Sequence, residues 1–147
     1  MFRKIIATAP TWITVPVRLA LGLIFIAHGA QKVLGYWGGQ GFSAFIQYKP
    51  PFDFMRPGWL WMAAAALSEL IGGILVLVGL LTRLSALFLA IVMLVAMFGV
   101  HWGAFFANNK GIEYPLALLG MAIALIIAGG GQASIDRLLM NGGGRRR

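Results

Sequence analysis

Two apolar stretches, residues 59–81 and 84–106, follow one another with only Thr82 and Arg83 between them, and each is long enough to cross a bilayer. About 20 residues of helix span the roughly 30 Å hydrocarbon layer, and a third stretch, residues 12–34, also passes that test. A shorter fourth stretch covers residues 112–128. Lipid offers no partner to free backbone N–H and C=O groups, so runs of this kind must be helical. The expectation is an all-α membrane protein, a four-transmembrane-helix bundle in which the two-residue turn makes the second and third helices antiparallel neighbours. With 60% hydrophobic and 11% charged residues, the chain has too few polar groups to coat a soluble domain.

Nothing in the pattern marks a second domain, so residues 1–141 read as a single bundle. Between the first two helices lies a long aromatic outer loop carrying Tyr36, Trp37, Phe42, Phe45, Tyr48, Phe52 and Phe54. Aromatics at this density suit the bilayer interface, with a short helix near residues 42–47, and Pro50-Pro51 imposes an extended stretch. The loop reads as an anchor or as a lid over an outward-facing site. After the fourth helix, Gly129, Gly130 and Gly131 end the span, Ser134 is placed to cap a short cytoplasmic helix over residues 135–140, and Asp136 suits its first turn. Residues 142–147 read as a flexible basic tail. A cleavable leader fits poorly at the N-terminus, because the first apolar run carries Arg18, His28 and Lys32 and no small-residue cleavage site ends it.

Charge sets an expected orientation. With both termini cytoplasmic, the inner side collects Arg3, Lys4, Arg18, Arg83, Arg137 and the three terminal arginines, against Lys32, Lys49, Arg56 and Lys110 outside. Arg18 is then expected to snorkel to the inner headgroups. The net charge of +8 falls at membrane boundaries and in the tail, so anionic lipid at the cytoplasmic face is the expected partner rather than nucleic acid.

Ionisable residues inside apolar segments rarely face lipid and point to a buried site. Glu69 stands roughly ten residues into the second segment, near the bilayer centre at about 1.5 Å per residue. Gly72 and Gly73 follow on the same face and allow a neighbouring helix to come close. His28 is followed by Gln31 and Lys32 near the outer end of the first segment, His101 sits between Gly99 and Gly103 in the third, and Glu113 opens the fourth. Alternating helix directions bring all of them to the outer leaflet, which predicts a buried His/Glu/Gln cluster contributed by four helices. Structural roles compete with this reading: Glu113 as a helix-dipole cap, Lys32 as an interface marker, the histidines as neutral hydrogen-bonding groups, and Glu69 as a protonated tie between helices.

The run from Arg18 to Phe25 leading into His28-Gly29-Ala30-Gln31-Lys32, then Glu69-Leu70-Ile71-Gly72-Gly73 and Gly79-Leu80-Leu81-Thr82-Arg83, resembles the DoxX (DoxD-like) family of small bacterial membrane proteins. His101 and the Ser134-Ile135-Asp136 ending are similar too, and the resemblance covers almost the whole chain. It implies a four-helix fold in the inner (cytoplasmic) membrane. It further implies association with respiratory or sulfur-linked oxidoreductases, including a subunit of a thiosulfate:quinone oxidoreductase, and with redox-stress complexes. The family-like positions are His28, Gln31, Lys32, Glu69, Arg83 and His101.

With no cysteine, the chain cannot run dithiol exchange or hold a cluster through thiolates. A redox role must therefore borrow a quinone, a haem, a metal or a partner subunit. A quinone suits the residues best: Glu69 and His101 as proton carriers, with His28, Gln31, Lys32, Trp102 and Glu113 binding and orienting the ligand. Haem held by His28 and His101, or a metal held by the two histidines and two carboxylates, ranks lower because no close-spaced ligand motif occurs. The leading function is a subunit of a membrane redox assembly, not an autonomous enzyme. The alternatives are a purely structural or assembly subunit and a small-solute transporter or binding protein.

Overall fold

A computed structural model describes residues 6–142, and every regular element among them is helical. The long helices are α1 (Thr14–Val33), α2 (Gly58–Val78), α3 (Thr82–Gly99) and α4 (Glu113–Ala128), followed by a short α5 (Ile135–Gly142). Helix α1 packs chiefly on α2 and α3 chiefly on α4, while α2 also leans on α3. The core between them includes Leu21 and Phe25 of α1, Val76 of α2, Leu89 and Met93 of α3, and Leu118 and Leu125 of α4. Many outward side chains are large and apolar, as a helix set in lipid requires.

The expectation of four transmembrane helices needs correction, for only α1, α2 and α3 are long and apolar enough to cross a membrane. Helix α4 has 16 residues, about 24 Å at 1.5 Å per residue, which falls short of the hydrocarbon layer. It nevertheless carries the chain back to the end at which α1 begins, since Ala9 N–H donates to Ala128 O (2.8 Å) and Gln132 N–H to Thr11 O (2.9 Å). Both described ends of the chain therefore meet at one end of the bundle, the terminal end; the other is the distal end.

The third helix also stops earlier than residue 106. It ends at Gly99, and His101, Trp102, Phe105 and Phe106 belong to a connection that folds on itself, with Ile112 N–H donating to Ala104 O (3.1 Å) and Glu113 N–H to Phe105 O (2.9 Å). Hydropathy cannot tell such an aromatic connection from a helix, because both are apolar. Nor is there a long aromatic loop between the first two helices. That segment is divided into a 3-10 turn (Tyr36–Gly38), a one-turn helix (Phe42–Phe45) and a turn in which Met55 N–H donates to Phe52 O (3.1 Å). Backbone groups at the membrane edge need partners, and these short elements supply them. The N-terminal Arg3 and Lys4, and the tail beyond Gly142, lie outside the described residues.

Arg18 does not snorkel. It is buried and spends its donors on four carbonyls: Nε to Val76 O (3.0 Å), Nη2 to Leu77 O (2.9 Å), and Nη1 to Gly130 O and Ala133 O (2.7 Å each). Val76 and Leu77 end α2, where carbonyls run short of backbone donors and the helix dipole favours a cation. Arg83 acts alike at the end of α4, with Nη2 on Ile127 O (2.9 Å) and Nε on Ala7 O (2.8 Å). Asp136, 1% exposed, caps α3 from a distance: Oδ1 accepts from Leu81 N–H (2.8 Å), and Oδ2 accepts from Thr82 N–H (2.9 Å) and the Thr82 hydroxyl (2.8 Å). These bonds hold Leu81 in a left-handed conformation (φ 49°) that a leucine seldom adopts. The terminal end is thus locked by polar side chains, and the distal half is left for a site.

Candidate functional site

Helices α1 and α2 meet through small residues. A Cβ on Gly29 would lie 2.5 Å from Leu70 Cα, and one on Gly73 would lie 2.8 Å from Ile26 N, so glycine is what allows this approach. The close contact sets Lys32, in the last turn of α1, beside Glu69 at the middle of α2. The ammonium Nζ forms an ion pair with Glu69 Oε2 and also lies over the Phe45 ring, 5.5 Å from its centre. Glu69 is 3% exposed, whereas the Lys32 side chain keeps a quarter of its surface accessible. A charge at such depth needs this partner, since an isolated carboxylate in an apolar interior is costly.

The remaining sequence candidates do not gather into one buried His/Glu/Gln cluster, and that expectation is corrected. His28 is exposed and its Nε2 lies 3.4 Å from the Tyr114 hydroxyl of α4, with both groups in electrostatic range of Glu69. Gln31 contributes its backbone carbonyl, which accepts from Gly41 N–H (3.3 Å). His101 lies past the end of α3, with Nδ1 2.7 Å from Lys110 O, and Trp102 is exposed and packs on Phe98. Glu113 accepts from Ala107 N–H (2.5 Å) in the first turn of α4. The two histidines therefore engage different partners on different elements. Among the described residues, no three His, Asp or Glu side chains stand close enough together to hold a metal ion.

What the sequence did not disclose is a cleft of about 440 Å³ between the distal halves of α2 and α3. Met62, Ala65 and Ser68 of α2 and Val92 and Ala96 of α3 form its walls; Phe45, Lys49, Pro51 and Met55 of the α1–α2 connection cover it. Glu69 borders it, so the residue that pairs with Lys32 also lines the cleft. Lys49, Ser68 and Glu69 are the only ionisable or hydroxyl-bearing members of an otherwise apolar wall. Phe88 and Ile91, exposed on α3, and Trp61, exposed on α2, stand at its rim, so the cleft opens sideways toward lipid. A signal did exist in the run Ala63-Ala64-Ala65-Ala66, where small side chains just before Glu69 leave space that larger ones would fill.

A family model described as DoxX matches residues 13–102. Similar proteins include an uncharacterized protein of Haemophilus influenzae, 35% identical over 124 residues (83% of this chain, 80% of that protein). Another, from Bacillus subtilis, is named "Putative oxidoreductase CatD" and is 33% identical over 112 residues (76% of this chain, 77% of that protein). The "Inner membrane protein YqjF" of Escherichia coli is 35% identical over 123 residues (83% of this chain, 88% of that protein). No solved structure matches the chain significantly.

Proposed function

The chain belongs to the DoxX family, and from that membership we propose that it serves as a membrane subunit of a redox assembly, with Glu69 handling protons at the edge of the α2–α3 cleft. It is a multi-pass membrane protein, and its family fits an inner-membrane location. The observation that carries the proposal is the Lys32–Glu69 pair, a charged pair kept inside an apolar bundle and bordering a space open to lipid. Helix locking alone does not call for a titratable group at such a place, whereas proton exchange does. The oxidoreductase name borne by the Bacillus subtilis relative agrees with a redox setting. A quinone bound nearby would supply two-electron, two-proton chemistry. The protein's part is to bind, to exclude water, and to hold or release a proton at the Glu69 carboxylate. His28 and Tyr114, near the same carboxylate, extend the polar group toward the surface of the bundle. His101, Trp102 and Glu113 stand apart from the cleft lining and take no part in this reading.

The terminal end is assigned to the cytoplasm, because Arg18, Arg83 and Arg137 sit there and cations accumulate on that side of inner-membrane proteins. On this reading, anionic headgroups would be the partners for the basic residues of this face. A second reading, an assembly subunit without chemistry, draws support from Arg18, whose four carbonyl bonds show polar groups used purely as ties.

The test is purification of the native complex in mild detergent from cells producing a tagged chain. A stoichiometric partner bearing a flavin, haem or iron–sulfur group, with quinone reductase or quinol oxidase activity in the eluate, is the expected result. Partners without redox groups, in a preparation that still complements loss of the gene, would shift the function to assembly.

A further inference from the structure

We infer that water from the distal side reaches the Lys32–Glu69 pair between α1 and α4, along His28 and Tyr114, so that the carboxylate exchanges its proton with that side of the membrane. The inference rests on the proton-handling role given to Glu69 above and adds the route and its side.

Helix register fixes the level at which each helix stops. Gly22 of α1 packs against Leu77 of α2, Gly29 against Leu70, and Gly73 of α2 against Ile26. These contacts share one antiparallel register, which sets Val33, the last residue of α1, level with Ala66. Residues 58–65 of α2 therefore run past the end of α1, over about 12 Å at 1.5 Å per residue. Helix α4 starts low as well. Tyr114, in its first turn, stands against His28, with the hydroxyl 3.4 Å from Nε2 and the ring centres 6.2 Å apart. By the same register His28 is level with Ile71, about 3 Å along the helix axis from Glu69.

What surrounds that level decides between water and lipid. Helix α4 is about 24 Å long, shorter than the roughly 30 Å hydrocarbon layer. Asn108, Asn109 and Lys110 are exposed and adjoin its first turn, where Ala107 N–H donates to Glu113 Oε1. Exposed amide and ammonium groups do not stay in hydrocarbon, so the bilayer thins on the α1–α4 side and water comes down with the chain. His28 and Tyr114 are exposed on this side, and the Lys32 side chain keeps a quarter of its surface accessible. All three can hydrogen-bond water. The α2–α3 cleft, by contrast, opens to lipid and cannot deliver a proton from water. A proton that Glu69 takes up comes from the water between α1 and α4, and one that it releases returns there.

The chain has no cysteine, so single cysteines report their surroundings without background. The thiolate is the reacting form, and apolar surroundings suppress it. Full chains carrying His28→Cys, Tyr114→Cys, Lys110→Cys or Ile123→Cys are treated, in right-side-out and in inverted membrane vesicles, with a membrane-impermeant cationic methanethiosulfonate. Ile123, exposed on α4 well below its first turn, is the lipid-facing reference, and Lys110 marks the distal face. We expect His28→Cys and Tyr114→Cys to react from the same face as Lys110→Cys and at least about tenfold faster than Ile123→Cys. Two positions are used so that one remains if the other variant does not fold. Reaction of both with a membrane-permeant maleimide alone would mean that this side faces lipid and would overturn the proposal, as would reaction from the face opposite to Lys110→Cys. Neither result touches the redox reading, which falls instead if the native complex lacks redox groups.

Discussion

Replacing Lys32 by Met keeps the length and apolar stem of the side chain but strands Glu69, 3% exposed, without its counter-charge. Removing one member of a buried ion pair costs about 3–5 kcal/mol in soluble proteins. Two features here lower the figure: the Lys32 side chain is a quarter exposed, and polar groups in membrane proteins also find partners in the unfolded reference state. A loss of about 2–3 kcal/mol follows, equivalent to a factor of roughly 30–150 in the folded ratio. Glu69→Gln should cost less, about 1 kcal/mol, since Lys32 is near the end of α1 and can turn its ammonium toward water. The double variant should regain most of the Lys32→Met loss, because no charge is then left stranded. The assay is reversible unfolding in mixed dodecylmaltoside and dodecyl sulfate micelles, arranged as a double-mutant cycle. A coupling of about 1.5 kcal/mol or more is expected. Strictly additive losses, or a Lys32→Met loss below about 0.5 kcal/mol, would refute the view that this pair neutralises a buried charge.

Asp136→Ala removes three bonds from the start of α3 and leaves Leu81 and Thr82 N–H without a cap, so a loss of about 3 kcal/mol is expected by the same unfolding assay. Gly29→Ala forces α1 away from Leu70, and should lower the midpoint of thermal unfolding in detergent while Gly120→Ala, with open space around its Cβ and an ordinary helical backbone in α4, changes it much less. Arg18→Met removes bonds to four carbonyls, of which Val76 O keeps Gly79 N–H and Gly130 O keeps the Thr14 hydroxyl, and should reduce the amount of folded protein recovered from membranes more than Arg18→Lys, which still reaches one or two of them. Reporter fusions at residues 3 and 147 should both report the cytoplasm.

The membrane setting and the mid-helix, buried position of Glu69 were legible in the sequence because hydropathy and position along a helix are local properties. The end of α3 was not. Val100 to Phe106 are rich in aromatic and apolar residues and so read as a continuation of the helix, and bonds made with the segment that follows, such as that from Ile112 N–H to Ala104 O, show that the backbone turns there. The absence of His101 from the expected cluster has the same origin: it was placed by extending a helix that ends at Gly99. Arg18 was misjudged for a different reason, since its partners Val76, Leu77, Gly130 and Ala133 are far away in the chain and no composition rule reveals free carbonyls. Asp136 was read as stabilising its own helix, yet its carboxylate also caps α3. The cleft was hidden because it is made of absence: small side chains at Ala65 and Ala96 under a connection whose path depends on its own turns.

The most direct test of the central claim is the activity of the native assembly carrying Glu69→Gln, measured as quinol-linked electron transfer in membranes containing wild-type amounts of the folded chain. Gln keeps the shape and hydrogen-bonding capacity of the side chain but cannot take up or release a proton in its place. The account predicts a fall of at least about tenfold in turnover, with the complex intact. Full turnover with an intact complex would contradict it, leaving Glu69 as a tie between α1 and α2.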